Sequence, residues 1–255
     1  MSFITMNYFS PSMARSVKVH VILPFDLNLA QTTEPYKTLY FLPGFSAGAT
    51  DIGTSINLVQ QATYKGIAVV IPDGENSFYV DQPDRKANYR QYVGKELVEV
   101  TRRLFPLSDK REDTFIGGIS MGGFGSLMLG MLHVENFSKI LAMSPATELY
   151  KLIHPDLFPQ EFMDSIFGNE ENYMKNYDPA NLFIQAKQSN GEIPDLFLCS
   201  GRQDELVYEQ DLRFVNTLKE NKISVQYQED DGGHDIIFWN KMLDSGVDFL
   251  LRGER

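Results

Sequence analysis

The chain has 255 residues, of which 43% are hydrophobic, and this length and composition suit one large core. Its 34 acidic residues outnumber its 23 basic residues and give a formal charge of -11, so most of the surface would repel nucleic-acid phosphates and anionic lipid. A single cysteine, Cys199, excludes an internal disulfide framework. We therefore expect one domain over residues 1–255 and no nucleic-acid partner.

The N-terminal residues lack the basic region and the long apolar region of a secretion signal. The longest apolar run, residues 67–71, is far shorter than the ~20 residues that a membrane-spanning helix needs. These features predict a cytoplasmic protein with no membrane partner. A homo-oligomer is left open, because it depends on surface patches that the fold creates.

Two extended runs open the chain, at residues 4–9 and 16–23. In the second run, valines at every other position alternate with Lys18, His20 and Ile22. This alternation predicts an antiparallel pair of strands at one edge of a sheet.

Strand-like and helix-like segments then alternate, which indicates a sheet with helices on its faces. The apolar runs are short, as strands buried on both faces must be. The predicted parallel strands span residues 38–42, 67–71, 113–116, 139–143, 195–199 and 225–227. The predicted helices span residues 55–65, 89–105, the segment after Ser120, 208–221 and 236–251. The fold class is therefore α/β, with a mostly parallel central sheet and helices on both faces.

The stretch between residues 146 and 190 is too long for a simple crossover and is rich in large apolar side chains. We interpret it as a short cap insertion over the carboxyl edge of the sheet, where ligands of open α/β sheets bind. Phe162 and Phe167 are therefore predicted to wall a small substrate pocket. The alternative is ordinary packing of these side chains onto their own domain.

The stretch Gly118–Gly122, which reads Gly-Ile-Ser-Met-Gly, follows a short apolar run and precedes a helix-like one. A serine nucleophile is mounted on this kind of sharp strand-to-helix turn in α/β-hydrolases. The small residues around Ser120 would permit a strained backbone conformation. The pattern alone is also compatible with a glycine-rich turn without chemistry, so a base and an acid are needed.

A serine hydroxyl needs an adjacent general base, and His234 is the best of four histidines. It lies in a glycine-flexible loop just after the last predicted strand. His20 falls in an edge strand and His133 near the far end of a helix, whereas His154, in the insertion, is more typical of a surface or packing residue.

The acid is expected after an intervening strand, because the chain order in such hydrolases is Ser, then Asp or Glu, then His. Asp204 fits this position, and its neighbour Glu205 is the nearest competitor. Asp235 adjoins His234 in the chain, but consecutive side chains diverge. We therefore rank Asp204 first.

Two backbone donors are required for the oxyanion. Met121 would supply one N–H, directly after the nucleophile. The other is expected from the loop after the strand at residues 38–42, where Gly44 allows close approach and the Phe45 N–H is the candidate donor. A turn that merely ends a strand is the alternative.

The blocks Gly118–Gly125, Pro72–Gly74 and Asn76–Tyr79 resemble the esterase D family of α/β-hydrolases, in particular its bacterial tributyrin esterase members. The likeness runs from about Phe3 to the last helix and is weak in the insertion. It implies the α/β-hydrolase fold and hydrolysis of short-chain carboxylic esters.

The resemblance further implies a triad of Ser120, Asp204 and His234. It also implies deacetylation of sugar-type esters, since relatives include acetylxylan esterases and S-formylglutathione hydrolases. One departure is Pro43-Gly44, where many relatives have His-Gly. This change alters side-chain hydrogen bonding in that loop and spares the backbone donor.

Asp73 and Tyr79 lie in the resembling blocks, at the edge of the sheet that carries the site. They are predicted to line the alcohol side of the pocket. Ordinary loop chemistry explains them as well, because Asp-Gly is a common turn and tyrosine a common anchor.

The leading interpretation is a serine esterase that hydrolyses acetyl to butyryl esters through an acyl-enzyme. Alternatives are an acyltransferase with the same triad, a thioesterase like S-formylglutathione hydrolase, and a noncatalytic binding protein. We expect a small-molecule ester as the partner. No cofactor and no metal are expected, because nucleotide-binding glycine motifs and the His-Glu-x-x-His zinc motif are absent from the sequence.

Overall fold

The computed structural model of the chain describes residues 2–25, 34–153 and 156–253. The strands in these residues are β1 (Ser2–Ser10), β2 (Arg15–Leu23), β3 (Thr38–Leu42), β4 (Ala68–Pro72), β5 (Asp81–Gln82), β6 (Ala87–Asn88), β7 (Thr114–Ile119), β8 (Lys139–Met143), β9 (Asp195–Gly201) and β10 (Gln226–Asp230). The α-helices are α1 (Ala49–Ser55), α2 (Leu58–Lys65), α3 (Tyr89–Gln91), α4 (Leu97–Leu104), α5 (Met121–Leu132), α6 (Gln160–Phe167), α7 (Glu170–Asn176), α8 (Pro179–Gln188), α9 (Tyr208–Glu220) and α10 (Ile236–Leu251).

The main sheet of the described chain has eight strands in the order β1-β2-β4-β3-β7-β8-β9-β10. β1 and β2 form the predicted antiparallel pair at one edge, and β2 is also antiparallel to β4. The strands from β4 to β10 in this order run parallel to one another. The prediction of a mostly parallel central sheet is confirmed. The strands β5 and β6 form a separate small hairpin.

The central strands are buried on both faces, as their short apolar sequences predict. In β3, Tyr40 and Leu42 belong to the hydrophobic cluster on one face of the sheet. Leu39 and Phe41 belong to the cluster on the other face, and all four side chains are buried. α1, α2 and α10 cover the second face, whereas α4, α5, α8 and α9 cover the first.

Strands β7, β9 and β10 continue two or three residues beyond the last residue predicted for each. β7 continues from Ile116 to Ile119 through Gly117 and Gly118, which pair with β3 and β8. A Cβ on Gly117 would lie 2.9 Å from the Leu141 backbone oxygen, so glycine lets the neighbouring strand approach. Gly118, which the sequence suggested for the turn, is therefore part of the strand, and the turn is confined to Ser120.

Two predicted helices differ from the structure. The helix expected over residues 55–65 begins only at Leu58, as α2, because Ile56 is extended and the Asn57 N–H donates to Asn240 Oδ1 at 2.8 Å, and the preceding helix α1 was not predicted. The helix expected over residues 89–105 contains a wider turn at Tyr92–Glu96. In that turn the Gly94 carbonyl accepts a hydrogen bond from the side-chain amide of Asn136 at 2.8 Å.

The region between residues 146 and 190 contains α6, α7 and α8 after a short 3₁₀ turn at Leu149–Leu152. Two hydrogen bonds join the first residues of this region to helix α9. The Glu148 N–H donates to Gln210 Oε1 at 2.6 Å, and the Thr147 hydroxyl donates to Asp211 Oδ1 at 3.2 Å. This region carries the aromatic side chains that pack toward the carboxyl ends of the strands.

The carboxyl of Asp178, at the start of α8, couples folding to pH. It is buried and accepts a hydrogen bond from the Asn181 N–H at 2.9 Å. Burial raises the pKa of Asp178 from 3.8 to about 6. Because the folded state then binds the proton more tightly than the unfolded chain, this contribution to stability is full below pH 3.8 and is lost as the pH rises through about 6.

We expect Asp178→Asn to raise the unfolding midpoint at pH 8 by about 2–6 °C, since asparagine caps a helix equally well without a buried charge. At pH 4 the gain should disappear. Thermal unfolding at both pH values measures this difference, with Asp109→Asn at an exposed position as the control. An identical midpoint shift at the two pH values would contradict the assignment.

Among the described residues, no helix combines the length and the apolar character needed to cross a membrane.

Candidate active site

Ser120 occupies a sharp turn between the end of β7 and the first residue of α5. Its backbone has φ 54° and ψ -117°, a conformation that residues other than glycine rarely adopt. The Ser120 N–H donates to the Met143 carbonyl of β8 at 3.0 Å, and its own carbonyl accepts from Phe124 at 2.9 Å. The hydroxyl is thereby held out at the carboxyl edge of the sheet.

Glycines on each side of Ser120 allow this turn. A Cβ on Gly118 would lie 2.6 Å from the Leu42 carbonyl oxygen, and a Cβ on Gly122 would collide with the same carbonyl. Because β3 and α5 approach each other so closely, glycine is required two residues before and two residues after the serine.

His234 lies in the loop between β10 and α10, and this loop is joined to the loop after β9. The Gln203 N–H donates to the Gly232 carbonyl at 3.0 Å, and the Gly232 N–H donates to Gln203 Oε1 at 2.7 Å. Gly232 has φ 155°, and Gly201 packs against its carbonyl. The two loops therefore bring the imidazole beside the residues that follow β9.

The carboxylate of Asp204 contacts the imidazole. Its Oδ2 lies 2.7 Å from His234 Nδ1, while Oδ1 accepts the N–H groups of Leu206 and Val207, both at 3.1 Å. The side chain of Asp204 is fully buried. Glu205 is exposed, and Asp235 caps α10 by accepting from Phe238 at 2.9 Å. Of the three acidic residues considered from the sequence, Asp204 is the one whose carboxylate contacts the imidazole.

Ser120, His234 and Asp204 form one line of hydrogen bonds, with Ser120 Oγ 2.9 Å from His234 Nε2. A carboxylate only accepts, so Nδ1 carries the proton toward Asp204 and Nε2 presents its lone pair to the serine hydroxyl. An imidazole in this tautomer can remove the hydroxyl proton as the oxygen attacks a carbonyl carbon.

The loop of residues 43–48, called the oxyanion loop here, lies beside the serine. A Cβ on Gly44 would lie 3.5 Å from Ser120 Cβ, so the loop backbone approaches the hydroxyl closely. Within the part of the chain that the structure describes, the N–H groups of Phe45 and Met121 donate to no protein atom. Two backbone donors therefore remain available next to the serine, at the positions predicted from the sequence.

A cleft of about 300 Å³ opens above the serine and the imidazole. Its wall is largely apolar and combines the oxyanion loop with side chains from the region after residue 146. The described lining residues are Gly44, Phe45, Ser46, Ala47, Ile119, Ser120, Leu157, Phe158, Leu206, His234 and Trp239.

The predictions of substrate contact for Tyr79 and Phe167 are wrong. Tyr79 has 0% and Phe167 1% of its surface exposed. The Tyr79 hydroxyl donates to the Pro43 carbonyl at 2.8 Å, behind the oxyanion loop. Phe167 packs in an aromatic cluster with Phe124 and Tyr173, at ring distances of 6.1 and 5.1 Å. Neither side chain has surface left for a ligand.

Asp73 and Phe162 also lie outside the cleft wall. Asp73 Oδ1 accepts the Ala49 N–H at 2.6 Å, at the start of α1, so its carboxylate is directed at that helix. Phe162 is not among the residues that line the cleft, and its ring packs on two that are, at 5.9 Å from Phe45 and 6.4 Å from Phe158. Both predictions of direct contact are corrected accordingly, whereas Gly44 does line the cleft.

The other histidines are separate from this site. His20 lies on β2 between the hydroxyls of Thr5 and Thr50, at 2.9 and 3.0 Å. His133 ends α5, and burial lowers its pKa. His154 lies outside the described residues.

Three residues that line the cleft were not predicted to do so from the sequence: Trp239, Leu157 and Phe158. The Trp239 ring meets His234 edge to face at 5.1 Å, and its indole N–H donates to Ser144 Oγ at 3.1 Å. A signal was available, because Trp239 is the single tryptophan of the chain and follows His234 by only five residues. Leu157 and Phe158 were two apolar residues among many in the insertion.

Among the described residues, no group of three or more His, Cys, Asp or Glu side chains is placed to hold a metal ion.

Comparisons with known proteins agree on one class. The family model described as putative esterase matches residues 10–250. An acetyl esterase of Caldicellulosiruptor saccharolyticus is 33% identical over 267 aligned positions, covering 99% of each chain.

Solved structures resemble the whole chain. The fluorophosphonate-binding serine hydrolase FphF of Staphylococcus aureus superposes with a TM-score of 0.89 at 28% identity, covering 99% of each chain. The S-formylglutathione hydrolase FrmB of the same organism gives a TM-score of 0.86 at 29% identity, covering 98% of this chain and 99% of FrmB. The fold is that of the α/β-hydrolases, as predicted.

Proposed function

The chain belongs to the putative esterase family and is a serine hydrolase of carboxylic esters, and from this premise we propose that it removes short acyl groups through an acyl-enzyme at Ser120. Asp204 and His234 complete the proposed triad. The observation that carries the proposal is the unbroken hydrogen-bonded line from Asp204 Oδ2 to Ser120 Oγ, which ends at the floor of an apolar cleft.

The proposed reaction begins with attack of Ser120 Oγ on the ester carbonyl carbon while His234 Nε2 accepts the hydroxyl proton. The carbonyl oxygen becomes an oxyanion and receives the N–H groups of Phe45 and Met121. Collapse of the tetrahedral intermediate breaks the bond to the alcohol oxygen, and the imidazolium returns its proton to the leaving alcohol. Water then attacks the acyl-serine while His234 Nε2 accepts a proton from it. Collapse of the second tetrahedral intermediate breaks the bond between the acyl carbon and Ser120 Oγ, the imidazolium returns the proton to Oγ, and the acid is released.

Asp204 steadies the imidazolium that forms in both steps. Its Oδ1 is held by two backbone N–H groups, so the carboxylate keeps one orientation while Oδ2 faces His234. Such a fixed acceptor selects the tautomer that leaves Nε2 free for the serine.

The size and polarity of the cleft support a short acyl group and a neutral substrate. Phe158, Leu157 and Leu206 contribute apolar side chains to a cleft of about 300 Å³, which is at the small end for ligand sites and suits a short acyl group. This agrees with the resemblance to tributyrin esterases, whose substrate is a neutral ester of a four-carbon acid. Acetylated sugars, which are also neutral, belong to the same proposed range.

A thioester such as S-formylglutathione is a second candidate, supported by the similarity to FrmB. The formyl group fits the small cleft. The glutathione part carries carboxylates, however, and no described residue that lines the cleft is cationic. We therefore place neutral short-chain esters first, and an assay with S-formylglutathione compares the two directly.

We expect kcat/KM on p-nitrophenyl esters to be highest for acetyl to butyryl chains and at least about tenfold lower for octanoyl. Replacing Phe158 with alanine should open the wall and raise kcat/KM for the octanoyl ester by about tenfold, with the acetyl ester changed less than about threefold. Phe9→Ala, at a position 65% exposed on β1, is the control. Equal rates for acetyl and octanoyl esters in the unaltered protein would overturn the short-chain proposal.

A further inference from the structure

We propose that the loop of residues 73–79, called the support loop here, positions the Phe45 N–H for the oxyanion, with Asn76 as its main positioning residue. The inference rests on the proposed function, since it assigns a role within that reaction. It gives a task to the Asn76–Tyr79 block, in which the sequence had predicted substrate contact for Tyr79 alone.

Three hydrogen bonds join the support loop to the oxyanion loop and the residue that follows it. Asn76 Oδ1 accepts the Ser46 N–H at 2.6 Å, and the Tyr79 hydroxyl donates to the Pro43 carbonyl at 2.8 Å. Asp73 Oδ1 accepts the Ala49 N–H at 2.6 Å. The backbone is therefore held on both sides of Phe45, two residues before it and one residue after it.

The Asn76 contact acts where the oxyanion loop is least able to hold its own shape. Ser46 has φ 63°, a left-handed conformation that costs free energy for a residue with a Cβ. The acceptor on Asn76 holds the N–H of this residue. The Phe45 N–H belongs to the peptide unit next to the one that carries the Ser46 N–H. A rotation of the backbone at Ser46 would therefore turn the Phe45 donor away from the oxyanion.

The support loop is itself in an unusual conformation that its surroundings maintain. Glu75, Asn76, Phe78 and Tyr79 all have positive φ, between 45° and 60°. The Ser77 hydroxyl closes the loop by donating to the Gly74 carbonyl at 2.7 Å. Such strained backbone persists only where packing and hydrogen bonds over-determine it, and it concentrates at functional sites.

Burial makes this support rigid. Phe78 and Tyr79 are 1% and 0% exposed, and the Phe78 ring lies 5.9 Å from the ring of Phe45. The support loop therefore touches Phe45 through its side chain as well as through the backbone on both sides. Loss of an oxyanion donor lowers kcat by about 10²–10³, so a misplaced donor should produce a fraction of that effect.

The test compares two substitutions at one position. Asn76→Gly removes the acceptor and keeps the left-handed backbone accessible, whereas Asn76→Asp keeps an acceptor oxygen. The control is Asn190→Gly, an exposed asparagine with φ 52° at the end of α8. It reports any general effect of glycine at a left-handed position.

We expect Asn76→Gly to lower kcat for p-nitrophenyl acetate by about 10–100-fold with KM changed less than about threefold. Inhibition by an alkylboronic acid, which forms a tetrahedral adduct on the serine, should weaken by a similar factor. Asn76→Asp should recover most of the loss, and Asn190→Gly should match the unaltered protein.

Unchanged kcat in folded Asn76→Gly, or a rise in KM alone, would overturn the inference. If this variant does not fold, Tyr79→Phe serves instead, because it removes only the hydroxyl that donates to Pro43, and an unchanged kcat would again overturn it. Failure of the proposed function has a different signature. In that case the unaltered protein would neither bind the boronic acid at Ser120 nor depend on Ser120 for activity.

Discussion

Ser120→Ala is expected to lower kcat for a short-chain ester by about 10⁶. The hydroxyl is the atom that attacks the carbonyl, and no other side chain within reach of His234 Nε2 can replace it among the described contacts. Residual rate would come only from water and the remaining oxyanion donors.

The measurement is kcat for p-nitrophenyl acetate with a purified variant whose thermal unfolding matches the unaltered protein. Alanine keeps the Cβ of Ser120, so the strained turn is expected to persist. Ser189→Ala, at an exposed position at the end of α8, is the control and should leave kcat unchanged. A loss of less than tenfold at Ser120 would defeat its assignment as the nucleophile.

Asp204→Asn is expected to lower kcat by about 10⁴ while the fold is retained. The amide has the shape of the carboxylate but carries a donor, and Oδ1 can still accept from Leu206 and Val207. The amide nitrogen would then face His234 Nδ1 and favour the tautomer with the proton on Nε2. An imidazole in that tautomer cannot take the serine proton.

Glu205→Gln is the matched control, because it makes the same chemical change one residue away at an exposed position. Its kcat should stay within about twofold of the unaltered value. If Asp204→Asn kept more than a tenth of the activity, or if Glu205→Gln lost as much, the carboxylate behind His234 would have to be assigned anew.

Much of the sheet could be predicted from the sequence, because each parallel strand is a short apolar run. β3, β8 and α10 begin and end where the pattern predicted. The arrangement of Ser120, Asp204 and His234 could be predicted too. Residues that follow parallel strands meet at one edge of the sheet, whatever their distance along the chain.

The support loop could not be predicted in the same way. The directions of the Asp73 and Tyr79 side chains depend on the backbone of residues 75–79, four of which have positive φ. Tertiary hydrogen bonds to the oxyanion loop and the residue after it maintain that conformation. Local propensity disfavours this backbone for residues with a Cβ. A position near the site was therefore predictable, whereas burial behind the oxyanion loop was not.

The cap region shows a similar limit. Its apolar composition predicted packing near the cleft, but composition does not tell which aromatic rings form the wall and which lie behind it. Phe158 lines the cleft, whereas Phe162 packs on Phe158 without lining it and Phe167 is buried against Phe124. The difference arises from how α6 and the turn before it lie on the sheet.

The nucleophile is located most directly by mapping a fluorophosphonate on the protein by peptide mass spectrometry while esterase activity is followed. We expect a single phosphonyl group per chain, attached to Ser120 Oγ, with activity falling in proportion to labelling and no label on Ser120→Ala. Loss of activity with the label on another residue, or full activity with Ser120 labelled, would contradict the assignment of Ser120 as the nucleophile.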